Sequence, residues 1–372
     1  MSSPRDELEI IGLISTQYGS ETHPTVGPAI DKTYVSTIAL AHENAGFDRA
    51  LIGYSSASPD GFQVAAYAAA KTSKLNILLA HRPGFVAPTV AARQLATLDQ
   101  FSDGRLAVHI ITGGSDDEQA RDGDFLTKEE RYARTDDYLD VVKKTWTSPT
   151  PFDHEGPYYK VRDNVSAVKP VQQPHLPVFF GGSSDAAIRV AGKHADVFAL
   201  WGETLEGVRE TLAKVRAAAA AHGRADHIRF SLSLRPILAR TEEEAWARAQ
   251  RILTDARTLR EAGPLSFFRR AKSQAVGSQR LLDAAKGGAV RDKRLWTEIA
   301  QLTGAQGNST SLVGTPEQVV DSLLDYYDLG VTKFLFRGFD PLEDAIDYGR
   351  HLLPLFREAV RSRPAPRVQA AS

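Results

Sequence analysis

Short apolar runs along the chain alternate with longer stretches in which apolar residues recur every three or four positions. Leu8–Ser15 (LEIIGLIS) reads as a first strand and Tyr34–Ala45 as the helix after it. Arg49–Gly53 and Phe62–Thr72 repeat the pair, and Leu75–His81 with Pro88–Phe101 make a third. Arg105–Thr112, Leu176–Phe180, Ala195–Trp201, Ile228–Arg235 and Lys333–Arg337 complete eight predicted strands. Helical spacing follows in Ala186–His194, Leu205–His222, Glu242–Ala256 and Pro341–Val360. Eight strand–helix repeats predict one parallel (β/α)8 TIM barrel, ringed by helices, over the whole chain. An open doubly wound sheet is the alternative. It would carry G-x-G-x-x-G after its first strand, where Ser15-Thr16-Gln17-Tyr18-Gly19 stands instead.

Two segments interrupt the repeat. Pro149–Lys160 (PTPFDHEGPYYK) reads as a hairpin or loop excursion. Arg257–Ser309 is an insertion between the seventh and eighth units; a stretch of this length is either a lid over the barrel mouth or, equally, a partly disordered insert or an oligomer contact. Arg361–Ser372 reads as a disordered tail.

Composition narrows the chemistry. The 372 residues include no cysteine, so disulfides, thiolate nucleophiles, thiolate-bound zinc and iron–sulfur clusters are excluded. A net charge of -1, with basic residues spread out, argues against a nucleic-acid or anionic-membrane surface. The N-terminus shows no apolar signal region and no run is long enough to span a bilayer, so the expected location is the cytoplasm. The ten histidines show no H-x-x-x-H or H-E-x-x-H spacing, and no metal site is expected.

In a barrel the active site lies at the C-terminal ends of the strands. That rule selects Gln17, Tyr54 to Ser58, His81 with Arg82, Thr112 with Gly113, Gly181 to Asp185, Trp201, Arg235 and Arg337. The strongest local signal is Phe179-Phe180-Gly181-Gly182-Ser183-Ser184-Asp185, a strand running into a helix. Its glycines admit a ligand close to the backbone, and the N–H groups and hydroxyls that follow suit a phosphate. Equally, Ser183 or Ser184 is a plain helix cap. His81 is a catalytic candidate or a structural histidine. Thr112-Gly113-Gly114-Ser115 wraps a flat ring or merely turns the chain. Trp201 is core packing or the wall of a dry pocket. Arg235, ahead of Pro236, is a fixed cation for an anionic substrate or half of a rim salt bridge.

A longer ordered pattern adds to this. Ala87-Pro88-Thr89-Val90-Ala91-Ala92-Arg93-Gln94-Leu95-Ala96-Thr97-Leu98-Asp99 resembles a helix of the flavin-dependent alkanesulfonate monooxygenases, within the bacterial luciferase-like class. Gly104-Arg105, Ile111 to Ser115, Asp122-Gly123, Glu130-Arg131-Tyr132, Phe180 to Asp185 and Leu312 to Pro316 continue the resemblance in order, over nearly the whole chain. The resemblance implies reduced FMN as a dissociable substrate, supplied by a separate NAD(P)H:FMN reductase. Reaction with O2 would then pass through a flavin C4a-(hydro)peroxide to oxygenate a small organosulfur compound such as an alkanesulfonate. It implies that Ser183 and Ser184 hold the FMN phosphate beside Gly182 and that Tyr132 lies near the ribityl-phosphate arm. Thr112 and Gly113 would contact the ring, Arg93 would brace the site and Trp201 would line the pocket. Such relatives form homodimers or homotetramers.

The sequence departs from that family on the substrate side. Arg235 occupies the position of a histidine after the seventh strand, Phe339-Asp340-Pro341 replaces a Tyr-x-His, Gln17 replaces a histidine and Ser58 a cysteine. Gln17, His81, Trp201 and Arg235 are therefore the expected catalytic set, with Ser58, Arg337 and Phe339 facing substrate. Arg235, Arg337 and His81 are expected to rebuild an anion pocket. Two other readings remain: an F420-dependent oxidoreductase of the same superfamily, and a non-catalytic flavin-binding barrel.

Overall fold

The computed structural model describes residues 8–262, 275–307 and 309–363. Thirteen strands are numbered in chain order. Eight of them, β1 (Glu9–Ile14), β2 (Arg49–Ile52), β3 (Asn76–His81), β4 (Leu106–Ile110), β7 (Val178–Gly181), β8 (Val197–Trp201), β9 (Arg229–Leu238) and β13 (Lys333–Phe336), pair in parallel in that order. β13 then pairs with β1, at Lys333 with Glu9 and Leu335 with Ile11, and closes the barrel. Each of the eight expected strands is one of these staves.

The outer layer comprises α1 (Lys32–Ala45), α2 (Gly61–Lys71), α3 (Pro88–Phe101), the short α4 (Asp116–Arg121), α5 (Lys128–Thr147), α6 (Asp185–His194), α7 (Leu205–Ala220) and α8 (Glu242–Ala262), followed after the insertion by α11 (Pro316–Asp328). Local chemistry sets several of their ends. Asp31 caps α1 by accepting from the backbone N–H groups of Thr33 and Tyr34, and Thr127 with Glu130 forms a capping box on α5. The helix expected over Pro341–Val360 is broken into α12 (Pro341–Asp347), a π-helical turn at Tyr348–Leu352 and α13 (Leu353–Arg361). Pro354 has no N–H to continue the ladder, and the chain enters it through that widened turn.

The 20-residue helix α5 is absent from the hydrophobic pattern because its buried face is partly polar. Arg131, 1% exposed, donates to Asp116 at 2.7 Å. Asp137 accepts the backbone N–H groups of Tyr158 and Tyr159, each at 2.8 Å, and meets His154 Nε2 at 2.5 Å. Asp137 thereby anchors the expected hairpin, built from β5 (Phe152–Glu155) and β6 (Lys160–Asn164).

β9 is twice the length of a typical stave. Its first half pairs within the barrel, while Arg235–Leu238 run past the mouth and pair with β12 (Ser311–Gly314). β12 continues antiparallel to β11 (Leu295–Trp296) and β10 (Val290–Arg291). The described part of the insertion therefore holds α9 (Val276–Lys286), this small sheet and α10 (Glu298–Thr303), docked on β9. The middle of the insertion and the last nine residues of the tail lie outside the described residues.

Alternate side chains on each strand enter the barrel. At the N-terminal end these are charged: Glu9 meets Arg49 Nε at 2.5 Å and Lys333 Nζ at 2.6 Å. Burial alone would raise the Glu9 carboxyl, but the two cations hold it at about 2. Above this plug, Ile11, Leu78, Ala107, Phe179 and Val197 fill the barrel with apolar volume.

Candidate active site

One step further up, the inward positions become small: Gly53, Ala80, Gly181, Ala199, Ser231 and Ser233. Side chains of this size cannot fill an eight-stranded barrel, and a cavity of about 460 Å³ opens at the C-terminal mouth. That volume lies in the range of small-molecule sites, and its position is the one where barrels place their chemistry.

One wall is the Gly-Gly-Ser-Ser corner between β7 and α6. Gly182 has φ +136°, and a Cβ there would stand 2.7 Å from Tyr132 Oη and 2.8 Å from Ala187 Cβ, so only glycine fits. Tyr132, buried on α5, reaches this corner, and burial pushes its phenol pKa up despite a bond to Ser184. Ser184 is also the helix cap, accepting from Ala187 N–H at 3.3 Å. The capping explanation thus holds for Ser184, while Ser183 and Ser184 both line the cavity with Tyr132 and Gly182. Lys128, one turn before Tyr132, brings a cation to the same cavity that the sequence reading did not select.

The adjoining wall is the turn after β4, the stave next to β7. Gly113 has φ +95°, and a Cβ there would fall 2.3 Å from the Gln119 amide nitrogen. Both Gln119 amide atoms and Thr112 Oγ1 are buried without a hydrogen-bond partner. Buried polar atoms are rarely left so, and Thr112 and Gly113 both line the cavity. His109 enters from the same strand. Trp201 lies between the cavity and an apolar cluster of Leu281, Ala300 and Ala305, and the insertion reaches the cavity with Ala275, Val276 and Gly277. Arg337, 22% exposed at its side chain, completes the rim.

Several expected site residues stand elsewhere. His81 is buried with Nε2 2.7 Å from Tyr138 Oη and packs edge-on against Phe62. Strand alternation explains this: Ala80 faces the cavity, so His81 faces the helices. Gln17 is half-buried in the loop after β1, where its carbonyl accepts from Ser15. Ser58 is exposed and closes a local turn with Ser55. Arg93 is exposed on α3. Phe339 is fully buried, and its ring carries the Arg235 guanidinium at 3.4 Å.

Arg235 itself is 0% exposed and already paired. It donates to Glu21 at 2.8 Å and to Gly338 O at 2.9 Å. Glu21 also meets Arg337 at 3.3 Å. Burial would raise the Glu21 carboxyl, but Arg235 and Arg337 hold it at about 2. The expected anion pocket of Arg235, Arg337 and His81 is therefore not assembled. Of the three, Arg337 alone borders the cavity.

A second, more open depression of about 550 Å³ lies between α5 and α6, beyond Tyr132. Near it, ligand atoms of Asp136, Asp140 and His194 approach within metal-site distances. Lys193 Nζ already binds Asp136 at 2.8 Å and Asp140 at 2.7 Å, which makes this an ion-pair network. Among the described residues no helix is long and apolar enough to cross a membrane.

Residues 9–333 match the family model described as luciferase-like monooxygenase. Similar folds among solved structures include a riboflavin lyase with modified FMN and riboflavin (22% identity, 97% of this chain and 94% of that one, TM-score 0.78). An EDTA monooxygenase from Chelativorans sp. BNC1 is similar at 19% identity over 98% and 96% of the two chains, TM-score 0.75. An F420-dependent secondary alcohol dehydrogenase is similar at 15% identity over 94% and 99%, TM-score 0.68.

Proposed function

The chain belongs to the luciferase-like monooxygenase family, and on that premise we propose that it uses reduced FMN and O2 to oxygenate an alkanesulfonate or another small organosulfur compound. The observation that carries the reading is the meeting of two features on one cavity: the glycine-only cradle at Gly182, beside Ser183, Ser184 and Tyr132, and the Thr112-Gly113 turn on the neighbouring stave.

Ser183, Ser184 and the backbone N–H groups entering α6 would hold the phosphate, with Tyr132 and Lys128 beside it. Thr112 and Gly113 would meet the ring. When bound, reduced flavin supplies the electrons that activate O2, so that one oxygen atom enters the substrate and the other leaves as water. The chain's own task is to exclude bulk water and orient the substrate. Trp201 and the apolar tier of Ile11, Leu78 and Phe179 serve the first need. Arg337 serves the second: Glu21 compensates only one of the two guanidiniums around it, so the cluster keeps one positive charge at the cavity rim. That surplus supports an anionic head group.

The test is anaerobic titration with reduced FMN, followed by O2 and a panel of sulfonates in the presence of an NAD(P)H:FMN reductase. Flavin binding with release of sulfite is expected. Binding of oxidised FMN without any oxygen reaching product would overturn the reading and leave a flavin-binding barrel. The likeness to an F420-dependent dehydrogenase supports a second reading, hydride transfer without O2. Tighter binding of F420 than of FMN would select it.

A further inference from the structure

We propose that the chamber behind β3 is a second binding site, which takes a compact neutral carbonyl compound with an apolar body. It lies on the helix side of that stave, outside the barrel, so the assignment is independent of what fills the mouth.

The chamber holds about 250 Å³ between β3, the start of α2 and the chain entering α3. Phe62, Phe85 and Val86 give it apolar walls, and His81, 4% exposed, belongs to its lining. Strand alternation turns this side chain away from the mouth, and its ring packs edge-on to Phe62 at 5.7 Å. Nε2 is occupied, 2.7 Å from Tyr138 Oη. Tyr138 is 1% exposed, and this ring nitrogen is the acceptor its hydroxyl meets, so the phenol donates and Nε2 accepts. The imidazole, kept neutral by burial, then carries its proton on Nδ1. That N–H has no partner in the protein, and its nitrogen keeps surface on the chamber. The start of α2 adds to it. The N–H groups of Gly61 and Phe62 have no acceptor inside the helix, and Asp60 takes that of Gln63, at 3.0 Å. Two independent sets of donors thus share one apolar chamber.

The chemistry of the ligand follows. Donors without a matching acceptor call for a ligand that accepts, and a carbonyl oxygen does so with two lone pairs. The aromatic and branched walls suit a ring or short branched chain behind it. A carboxylate fits less well. Arg82, the cation in the lining, already donates to Glu118 at 3.1 Å and lies against the Tyr54 ring at 4.6 Å. Asp60 is exposed beside the start of α2 and repels an entering anion. Tyr54 lines both this chamber and the mouth cavity, so an occupant here bears on the wall of the mouth.

Calorimetry with acetophenone, toluene and benzoate tests the assignment. Acetophenone should bind roughly fivefold tighter than toluene, which keeps the ring and lacks the acceptor. Benzoate should bind more weakly than acetophenone, and Asp60→Asn should narrow that gap. Replacing His81 and Tyr138 together by phenylalanine leaves no orphaned phenol, and should bring acetophenone down to the affinity of toluene. Val86→Phe fills the chamber, leaves His81 intact and should abolish binding of both, which decides the matter if the double variant does not fold. Equal affinity for acetophenone and toluene, or no binding of acetophenone at all, would overturn the assignment. Undiminished binding in Val86→Phe would overturn it too, by placing the ligand in the mouth.

Discussion

Glu21 Oε2 and Arg235 Nη2 meet at 2.8 Å across 214 residues of chain, joining the loop after β1 to the strand that leaves the barrel mouth. Neighbouring bonds reinforce the seam: Thr22 Oγ1 donates to Phe339 O at 3.2 Å, and His23 Nε2 meets Asp340 at 2.5 Å. Arg235 cannot be hydrated where it sits, so Glu21 is its counter-charge and not an ornament of the rim.

Replacing that carboxylate should therefore be costly. Glu21→Gln leaves a guanidinium buried without a full counter-charge, and a loss of roughly 3–5 kcal/mol is expected in urea unfolding. The carboxyl, held at about 2, stabilises the fold above its ordinary value of 4.5, and this contribution fades as pH falls from there towards 2. The variant should lack that part of the acid dependence. A variant as stable as the parent would show that the pair contributes little.

At the Gly-Gly-Ser-Ser corner, Gly182→Ala must place a methyl group against Tyr132 Oη and Ala187 at a backbone angle alanine avoids. The expected cost is about 1–3 kcal/mol in stability, with flavin binding weakened further as Tyr132 is displaced. Thermal unfolding and fluorescence titration read the two effects separately. Unchanged flavin affinity would remove this corner from the site.

Thr112→Val makes the opposite kind of prediction. It removes a buried hydroxyl that has no partner, so the ligand-free protein should be as stable or slightly more so. FMN affinity should nonetheless fall roughly fivefold, the value of one neutral hydrogen bond. Thr112→Ser should retain it. A destabilised valine variant would mean the hydroxyl serves the fold.

Burial lowers His42, His81 and His109 from 6.5 to about 4. In each case the unfolded chain takes up a proton that the folded chain resists. Stability is thus full above about 6.5 and declines as pH falls from there to 4. Melting temperature measured from pH 8 to pH 4 should trace this decline, and His42→Gln should remove part of the slope. A flat profile over that interval would contradict the neutral state of these rings.

The staves were legible because each carries its own apolar run, and the Gly-Gly-Ser-Ser corner because glycine and serine announce a turn into a helix. α5 was not, since Arg131 and Asp137 are buried against partners outside the helix, Asp116, His154, Tyr158 and Tyr159, that no local pattern displays. His109 escaped for a different reason. Selecting the last residue of each strand favoured His81, which faces outward, over His109, which sits deeper in an apolar stretch. Counting alternate positions inward from Ala107 would have found it. Arg235 obeys that alternation and still misses the cavity, because β9 continues past the mouth, where Glu21 waits. Lys128 and Ala275–Gly277 come to the site only through packing of remote segments.

The ion cluster of Glu9, Arg49 and Lys333 gives the barrel a bottom as well as a wall. On the proposed reading, cofactor, substrate and product would pass through the opposite end, at the C-terminal mouth. Traffic would then be a stack, in which whatever settles deepest enters first and leaves last.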